Sequence, residues 1–398
     1  MQLNNKQELG VRLANQWWSD SDKRKKPFVV SGSAGSGKTT TVRFIIESLD
    51  IQESEVRYCA FTGMASSVLT RKGNPATTLH QLIYTPFVDE KTRKIFFKKK
   101  DFIEGTKLVI IDEISQVNKK LMDDLLSFKI PIIAIGDPMQ LPQIGGEANN
   151  LLDKPDIFLD ETVRQALDNP IIRLATDIRN GNTIRQGTMG DKVFIIPRDK
   201  VTTENLISAE QIIASKNQTV RSINDNIRYN IHGLESPFPY VGEKVMCLKN
   251  NWDKAIYENG IEQFLVNGLL GYVENIYDYD TRLEAFRMDF KPTYMKEKNF
   301  GKALADGKYF TDNIRNDEDF YLDEERYKDM LFRRKTWQDT TFGKIDKFTF
   351  GYAITAYKSQ GSEFQSVIYY DEFMNKATFN KSRYVGVTRA VDQLIFAL

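Results

Sequence analysis

The sequence predicts an α/β protein built on doubly wound parallel sheets, with a hairpin inserted in its first half and a small β-barrel in its second. Three observations predict this. Short apolar runs alternate with helix-like stretches at both ends of the 398 residues, as buried parallel strands joined by crossover helices do. One such run, FVV at 28–30, leads into GSAGSGKT at 32–39, a complete G-x-x-x-x-G-K-[ST] phosphate loop. Between the alternating parts, PYVGEKVMCLKNNW and FLVNGLLGYVENIY (239–277) switch to short strands with Gly turns, the texture of a small barrel.

Length and composition narrow the classes. A chain of 398 residues exceeds one ordinary core, so two or more domains are expected. Lys and Arg number 55 against 54 Asp and Glu, a formal net charge of +1. That balance neither requires nor excludes a polyanionic partner, because a basic groove can sit inside a neutral total. The two cysteines, Cys59 and Cys247, are far apart and lack metal-ligand spacing, which fits reduced thiols. No apolar run is long enough to span a bilayer, and the polar start MQLNNKQELG carries no signal-peptide core. The expectation is a cytoplasmic protein (host cytoplasm if phage-encoded) with no membrane contact.

Residues 3–18 suit a helix, which carries Gln7, and DSDKRKKP at 20–27 is a charged connector. The strand at 28–30 and a helix at 40–49 bracket the phosphate loop. Small residues there, Gly35, Ser36 and Gly37, let the backbone wrap a phosphate, and the helix opened by Thr40 adds positive potential. Lys38 is placed to reach the β- and γ-phosphates, and the Thr39 hydroxyl to hold Mg²⁺.

A strand over 56–61 breaks at Thr62-Gly63, where open α/β sheets bind ligands. ATTLHQLI at 76–83 follows, with Thr78 and His80, one of two histidines. The stretch 84–100 reads as a hairpin with Pro86, Phe87, Phe96 and Phe97 and a basic cluster at 98–100. LVIIDEIS at 108–115 is a buried strand ending in Asp112 and Glu113, placed to hold Mg²⁺ and to polarise a water. The strand at 130–135 ends in GDPMQLP, whose Gln140 is placed to sense the γ-phosphate. In the second half, Arg164 precedes a helix closed by Asn180-Gly181, and 212–224 is another strand, turn and helix. The charged, aromatic stretch 291–337 reads as a solvated helical insertion. Near the end, SRYVGVTRA at 382–390 reads as a strand-like run before Arg389, and the last strand is 393–397.

The ordered set Gln7, GSAGSGKTT, FTGMAS, TTLH, IIDEIS, IGDPMQLP, ETVRQ, AYKSQGSEF and YVGVTRA resembles the superfamily 1 DNA helicases, most closely the 5′-to-3′ branch of RecD-like and Dda-like enzymes. Each motif alone is modest; their order and spacing together are specific. The resemblance implies two RecA-like cores, 1–83 with 106–155 and 156–236 with 345–398. It implies a pin hairpin at 84–105 and an SH3-like barrel with the charged insertion at 237–344. It implies ATP and Mg²⁺ as cofactors, with Gln7 reading adenine, Arg164 and Arg389 reaching the phosphates from the second core, and Gly361 and Glu363 facing the nucleotide. Thr62, Thr78 and His80 match the single-strand path on one core, Thr355 and Lys358 on the other. Tyr357 stands where many relatives have His, and an aromatic there can still stack on a base. The partners implied are single-stranded and forked or tailed duplex DNA, with single-strand-binding or replication proteins, and a monomeric state. Two functions stay open: a helicase serving replication, recombination or repair, and a nucleotide-dependent clamp or translocase that binds a strand without unwinding. A small-molecule kinase fits neither the length nor the paired late arginines.

Overall fold

The computed structural model describes residues 3–88, 95–160, 168–258, 260–280, 285–311 and 345–398. Two compact units emerge, one of Met1–Val220 with Ile354–Leu398, the other Arg221–Ala353.

The first unit holds two six-stranded sheets. The first sheet comprises β1 (Phe28–Gly32), β2 (Val56–Ala60), β3 (Ala76–Thr78), β6 (Leu108–Asp112), β7 (Ile132–Gly136) and β8 (Ile157–Leu159), ordered β3-β2-β6-β7-β1-β8. All its pairings are parallel. Its strands are apolar on both faces because helices cover both. Phe28, Val30, Ile110 and Ile133 pack with Ala14, Trp17, Val42 and Ile45. The alternating residues Val29, Val109, Ile111 and Ala134 pack with Leu79, Leu121 and Leu125. The covering helices are α1 (Asn5–Ser19), α2 (Lys38–Ser48), α3 (Gly63–Arg71), α4 (Leu79–Ile83) and α5 (Lys119–Leu126). Asn4 and Gln7 form a capping box that starts α1. Between α4 and β6, β4 (Tyr84–Val88) and β5 (Ile95–Lys99) make an antiparallel hairpin whose backbone register pairs Pro86 with Phe97 and Phe87 with Phe96.

The second sheet comprises β9 (Gly187–Met189), β10 (Val193–Ile196), β11 (Gln211–Ala214), β19 (Ala353–Thr355), β20 (Phe364–Tyr370) and β21 (Ala390–Ala397), ordered β19-β11-β20-β21-β10-β9. Only β9 is antiparallel to its neighbour among the pairings between β9, β10, β11, β20 and β21. Helices α6 (Pro170–Arg179), α7 (Thr203–Ser208), α8 (Asn217–Asp225), α10 (Ala356–Ser359) and α11 (Phe379–Val387) accompany it. The strand expected just before Arg389 is helix α11. The run YVGV is apolar because Tyr384, Val385 and Val387 are buried, and a short apolar run fits strand or buried helix equally. Gly386 lets the helix lie close: a Cβ there would come 2.1 Å from the Tyr369 ring of β20.

The second unit centres on β12 (Lys244–Cys247), β15 (Leu270–Asp280), β16 (Ala285–Pro292), β17 (Phe300–Asp306) and β18 (Phe348–Phe350), antiparallel in the order β17-β16-β15-β12-β18. The sheet curls until its edges meet. Asp346 N–H donates to Leu304 O (2.7 Å), and Asp306 N–H donates to Asp346 O (3.0 Å). Phe290, Phe300 and Phe348 fill its interior, Phe290 and Phe348 with ring centroids 5.0 Å apart. A ribbon of β13 (Asn251–Glu258) and β14 (Ile261–Leu265) and the short α9 (Lys308–Thr311) complete the unit.

Two expectations change here. The compact unit outruns 237–344 at both ends. Arg228, fully buried, ion-pairs with Glu243 at 2.7 Å and lies 3.7 Å over the Phe350 ring, while β18 pairs with β12. The stretch 291–337 is not wholly a solvated helical insertion, since Phe300, Ala303 and Ala305 of β17 are core residues; its part from 312 onward lies outside the described residues. Cys59 in β2 and Cys247 in β12 are free and buried, and burial pushes the Cys247 thiol up to about 12. Among the described residues no helix is long and apolar enough to cross a membrane.

Candidate nucleotide site and the rim of the sheets

The phosphate loop leaves the C-terminal end of β1 and turns into α2. Its glycines are steric necessities. A Cβ on Gly32 would sit 2.6 Å from Ser36 Oγ and 2.8 Å from Leu159 O, and Gly35 and Gly37 have φ of 74° and 78°. Ser36 Oγ donates to Ser33 O at 2.8 Å. The partly buried Lys38 donates from Nζ to Gly32 O (2.8 Å) and Ser33 O (2.9 Å). Burial lowers the Lys38 pKa, opposed by the carboxylates of Asp137, Asp112 and Glu113. Thr39 is exposed and Thr40 half-buried on the first turn of α2. Gln7 is buried and donates from Nε2 to Ser36 O at 3.4 Å, so α1 abuts the loop.

Opposite the loop, Asp112 ends β6 and accepts the Glu113 N–H at 2.8 Å. Glu113 sits at φ 53°, ψ 48°, a left-handed conformation that is uncommon for a residue with a Cβ. Its carboxylate accepts hydrogen bonds from Gln116 Nε2 and, at 3.4 Å, from Gln140 Nε2. Burial, with Asp112 adjacent, pushes the Glu113 pKa up to about 7. Burial also raises that of Asp112. Gln140 accepts from the Ser115 hydroxyl at 2.9 Å.

The second sheet contributes to the same cluster. The Gly361 backbone and the Arg389 charge both oppose the rise of the Glu113 pKa, and the Arg389 charge also helps lower that of Lys38. The Arg389 guanidinium donates to Ser362 O (3.0 Å), Val385 O (3.2 Å) and Thr388 Oγ1 (3.2 Å). Gly361, at φ 76°, fits against Ala65 of α3, whose Cβ would lie 2.9 Å from a Cβ at 361. Glu363 does not join the cluster. It pairs with Lys72 at 2.9 Å on the surface. Arg164 lies outside the described residues.

The residues expected along a strand path sit at the rim, with a physical role of their own. Thr62, Thr78 and Thr355 each cap a helix: their hydroxyls accept from Ala65 N (3.1 Å), Gln81 N (3.2 Å) and Lys358 N (3.3 Å). The last two are buried, so the reachable surface nearby belongs to His80, Tyr357 and Lys358. The His80 ring lies between Phe61 and Tyr84, with centroids 5.9 and 5.8 Å away. Burial, then the Lys120 charge, holds its pKa below the usual imidazole value. Burial raises the Tyr357 phenol. In the hairpin, Phe97 is 60% exposed, its ring 6.4 Å from Tyr84, whose hydroxyl donates to Asp124 of α5 at 2.5 Å. The side chains of Pro86, Phe87 and Phe96 lie outside the described residues. Lys99 and Lys100 are tied to Ser127 Oγ (2.8 Å) and Gln81 O (2.9 Å), so they root the hairpin.

Sequence reasoning missed three residues of this region. Asp137 is buried beside the loop, Gln360 Nε2 donates to Leu141 O at 3.1 Å, and Tyr384 reaches the loop from α11. Each lies inside a motif already singled out, where a neighbouring residue drew the functional reading.

A family described as an AAA domain matches residues 20–195. The ATP-dependent DNA helicase dda of Enterobacteria phage T4 is 26% identical, covering 92% of this chain and 93% of that protein. The ATP-dependent RecD2 DNA helicase of Deinococcus radiodurans is 32% identical over 38% of this chain and 22% of its own length. Among solved structures, a Pif1 helicase from Bacteroides in complex with ADP-AlF3 and ssDNA shares the fold at a TM-score of 0.52 and 17% identity, covering all of this chain and 93% of that one.

Proposed function

We propose that this chain is a superfamily 1 DNA helicase of the 5′-to-3′ branch, as its likeness to the dda and RecD2 helicases supports, and that it hydrolyses Mg-ATP to move 5′ to 3′ along single-stranded DNA and to part the duplex ahead of it. One observation carries this reading. Lys38, Asp112, Glu113 and Gln140 from the first sheet interact in one partly buried cluster, and Arg389, just before the last strand of the second sheet, acts on it electrostatically.

The chemistry follows from those groups. The loop N–H groups and Lys38 hold the phosphates, and Gln7 reads the base beside them. The Thr39 hydroxyl and the Asp112 carboxylate are hard oxygen donors, and two such ligands suit Mg²⁺, which takes its remaining ligands from phosphate and water. When bound, the ion neutralises charge on the phosphates. Glu113 takes the proton of the attacking water, and a pKa near 7 matches that task at neutral pH. Gln140, bonded to Glu113, senses the terminal phosphate. Arg389 and Arg164 act as fingers, which raise such rates by about 10³ to 10⁵. Because they come from the second core, hydrolysis is tied to how the two sheets meet.

The strand lies along the rim past Thr62, Thr78 and His80 on one side and Thr355, Tyr357 and Lys358 on the other, with Tyr357 stacking on a base. The hairpin is the pin. Each base-pair step costs about 1.4 kcal/mol of stacking to open, and an exposed ring such as Phe97 replaces part of it. We read the curled sheet of the second unit as an SH3-like barrel. The process served is DNA replication, recombination or repair, by a monomer in a cytoplasm, with single-strand-binding or replication proteins as partners.

A strand-displacement assay on 5′-tailed and 3′-tailed duplexes, with Lys38→Ala as control, tests this. ATP-dependent opening of the 5′-tailed duplex alone is expected, and Lys38→Ala should bind single strands without hydrolysing ATP. DNA-stimulated hydrolysis with no opening of either substrate would leave the clamp reading. Retained hydrolysis in Lys38→Ala would remove the phosphate-loop assignment.

A further inference from the structure

Helix α11 and the residues just past its end bring two groups to the nucleotide site: Arg389, two residues beyond the helix, and a tyrosine within it. The tyrosine is Tyr384, buried to 2% exposure. Its hydroxyl oxygen accepts the N–H of Ala34 in the phosphate loop at 2.7 Å and donates its proton to Asp137 Oδ2 at 2.6 Å. Asp137 is itself 3% exposed and held by Met139 N–H on Oδ1 at 2.9 Å.

The proton count fixes what Tyr384 presents. A phenol has one O–H, and here the Asp137 carboxylate takes it. Only lone pairs face the loop, so the oxygen meets Ala34 as a phosphate oxygen would. A phosphate drawn to that N–H gains no hydrogen bond from Tyr384 and approaches the carboxylate behind it. Lys38 is similarly engaged, by the carbonyls of Gly32 and Ser33.

We propose that Tyr384 is a phosphate-mimicking latch: its hydroxyl competes with the nucleotide for the Ala34 N–H, so phosphate binding releases α11 from the loop. The inference rests on the nucleotide reading of the loop and deepens it. It gives the second sheet a contact that nucleotide breaks, beside Arg389, which nucleotide attracts. Exchange of one for the other would move α11 as the phosphate arrives.

The test is Tyr384→Phe, which keeps the ring and removes the oxygen. Affinity for a non-hydrolysable ATP analogue and for ADP is measured without DNA by calorimetric titration, alongside melting with and without nucleotide. A tightening of roughly fivefold is expected, from removal of one competing hydrogen bond. The variant should melt earlier than wild type without nucleotide and recover more on adding it. Damage to a merely structural residue would weaken binding, or lower both melting curves alike. Tightening for the analogue alone, or for both nucleotides, supports the latch. Unchanged or weaker affinity for both overturns it. Tyr384→Met gives the same readout should the Phe variant melt too early. If wild type binds no nucleotide, the functional reading fails and takes the inference with it; if wild type binds and the variants match it, the inference alone fails.

Discussion

Glu113 combines a left-handed backbone with a buried carboxylate whose pKa lies near 7. Glu113→Gln keeps the length and hydrogen-bonding shape but cannot take a proton. ATP binding should persist while turnover falls by about 10²- to 10⁴-fold; loss of binding would make the residue structural. Arg389→Ala should cut DNA-stimulated hydrolysis by about 10³-fold with little change in ATP affinity, because such a group acts mainly on the transition state. Turnover near wild type would leave Arg389 as the helix-end brace its three hydrogen bonds already make it. His80 offers a test by pH. Its folded pKa is held below the ordinary value of about 6.5, so the folded state resists protonation. Above that value both states are neutral and nothing is gained. As pH falls through it, the unfolded chain takes the proton first and stability drops. His80→Phe keeps the ring stack, so its melting temperature should fall less than that of wild type between pH 7 and about pH 5.5.

At the scale of elements, the hairpin is the sharpest case. Phe97 is exposed, while Tyr84 at its root is tied to Asp124 of α5, the helix that follows Glu113. Phe97→Ala should therefore keep ATP hydrolysis and movement on single strands while losing duplex opening. A fall in all three, together with the melting temperature, would make that ring part of the core. The phosphate loop and the β6 end were legible because Gly, Lys, Asp and Glu carry their chemistry in their type and spacing. The three threonines were legible as rim residues but not as caps, since capping depends on where each helix starts. YVGV was misread as strand because four apolar residues have no distinguishing period. What made it helical, the close approach allowed by Gly386 against Tyr369, is tertiary.

At the scale of the molecule, the change from α/β alternation to Gly-punctuated strands marked a second unit, but its limits were hidden. Arg228 lies before the stretch whose strand texture marked the unit, yet it is fully buried against Glu243 and Phe350. Removing one partner of such a pair costs about 3–5 kcal/mol. Arg228→Ala should lower one calorimetric transition and leave the other in place; a single transition shifting as a whole would deny the units separate cooperativity. β17 was missed because FGKALAD has short side chains and two charges, and its burial comes from pairing with β16. The two cysteines divide along the same line, one in each unit. Both thiols are shut away from solvent and held in the unreactive protonated form. Alkylation of the native protein thus needs an opening event, and the position modified names the unit that opened. A thiol-trapping time course would run as two clocks in one chain, one keyed to Cys59 and one to Cys247, with no label to install.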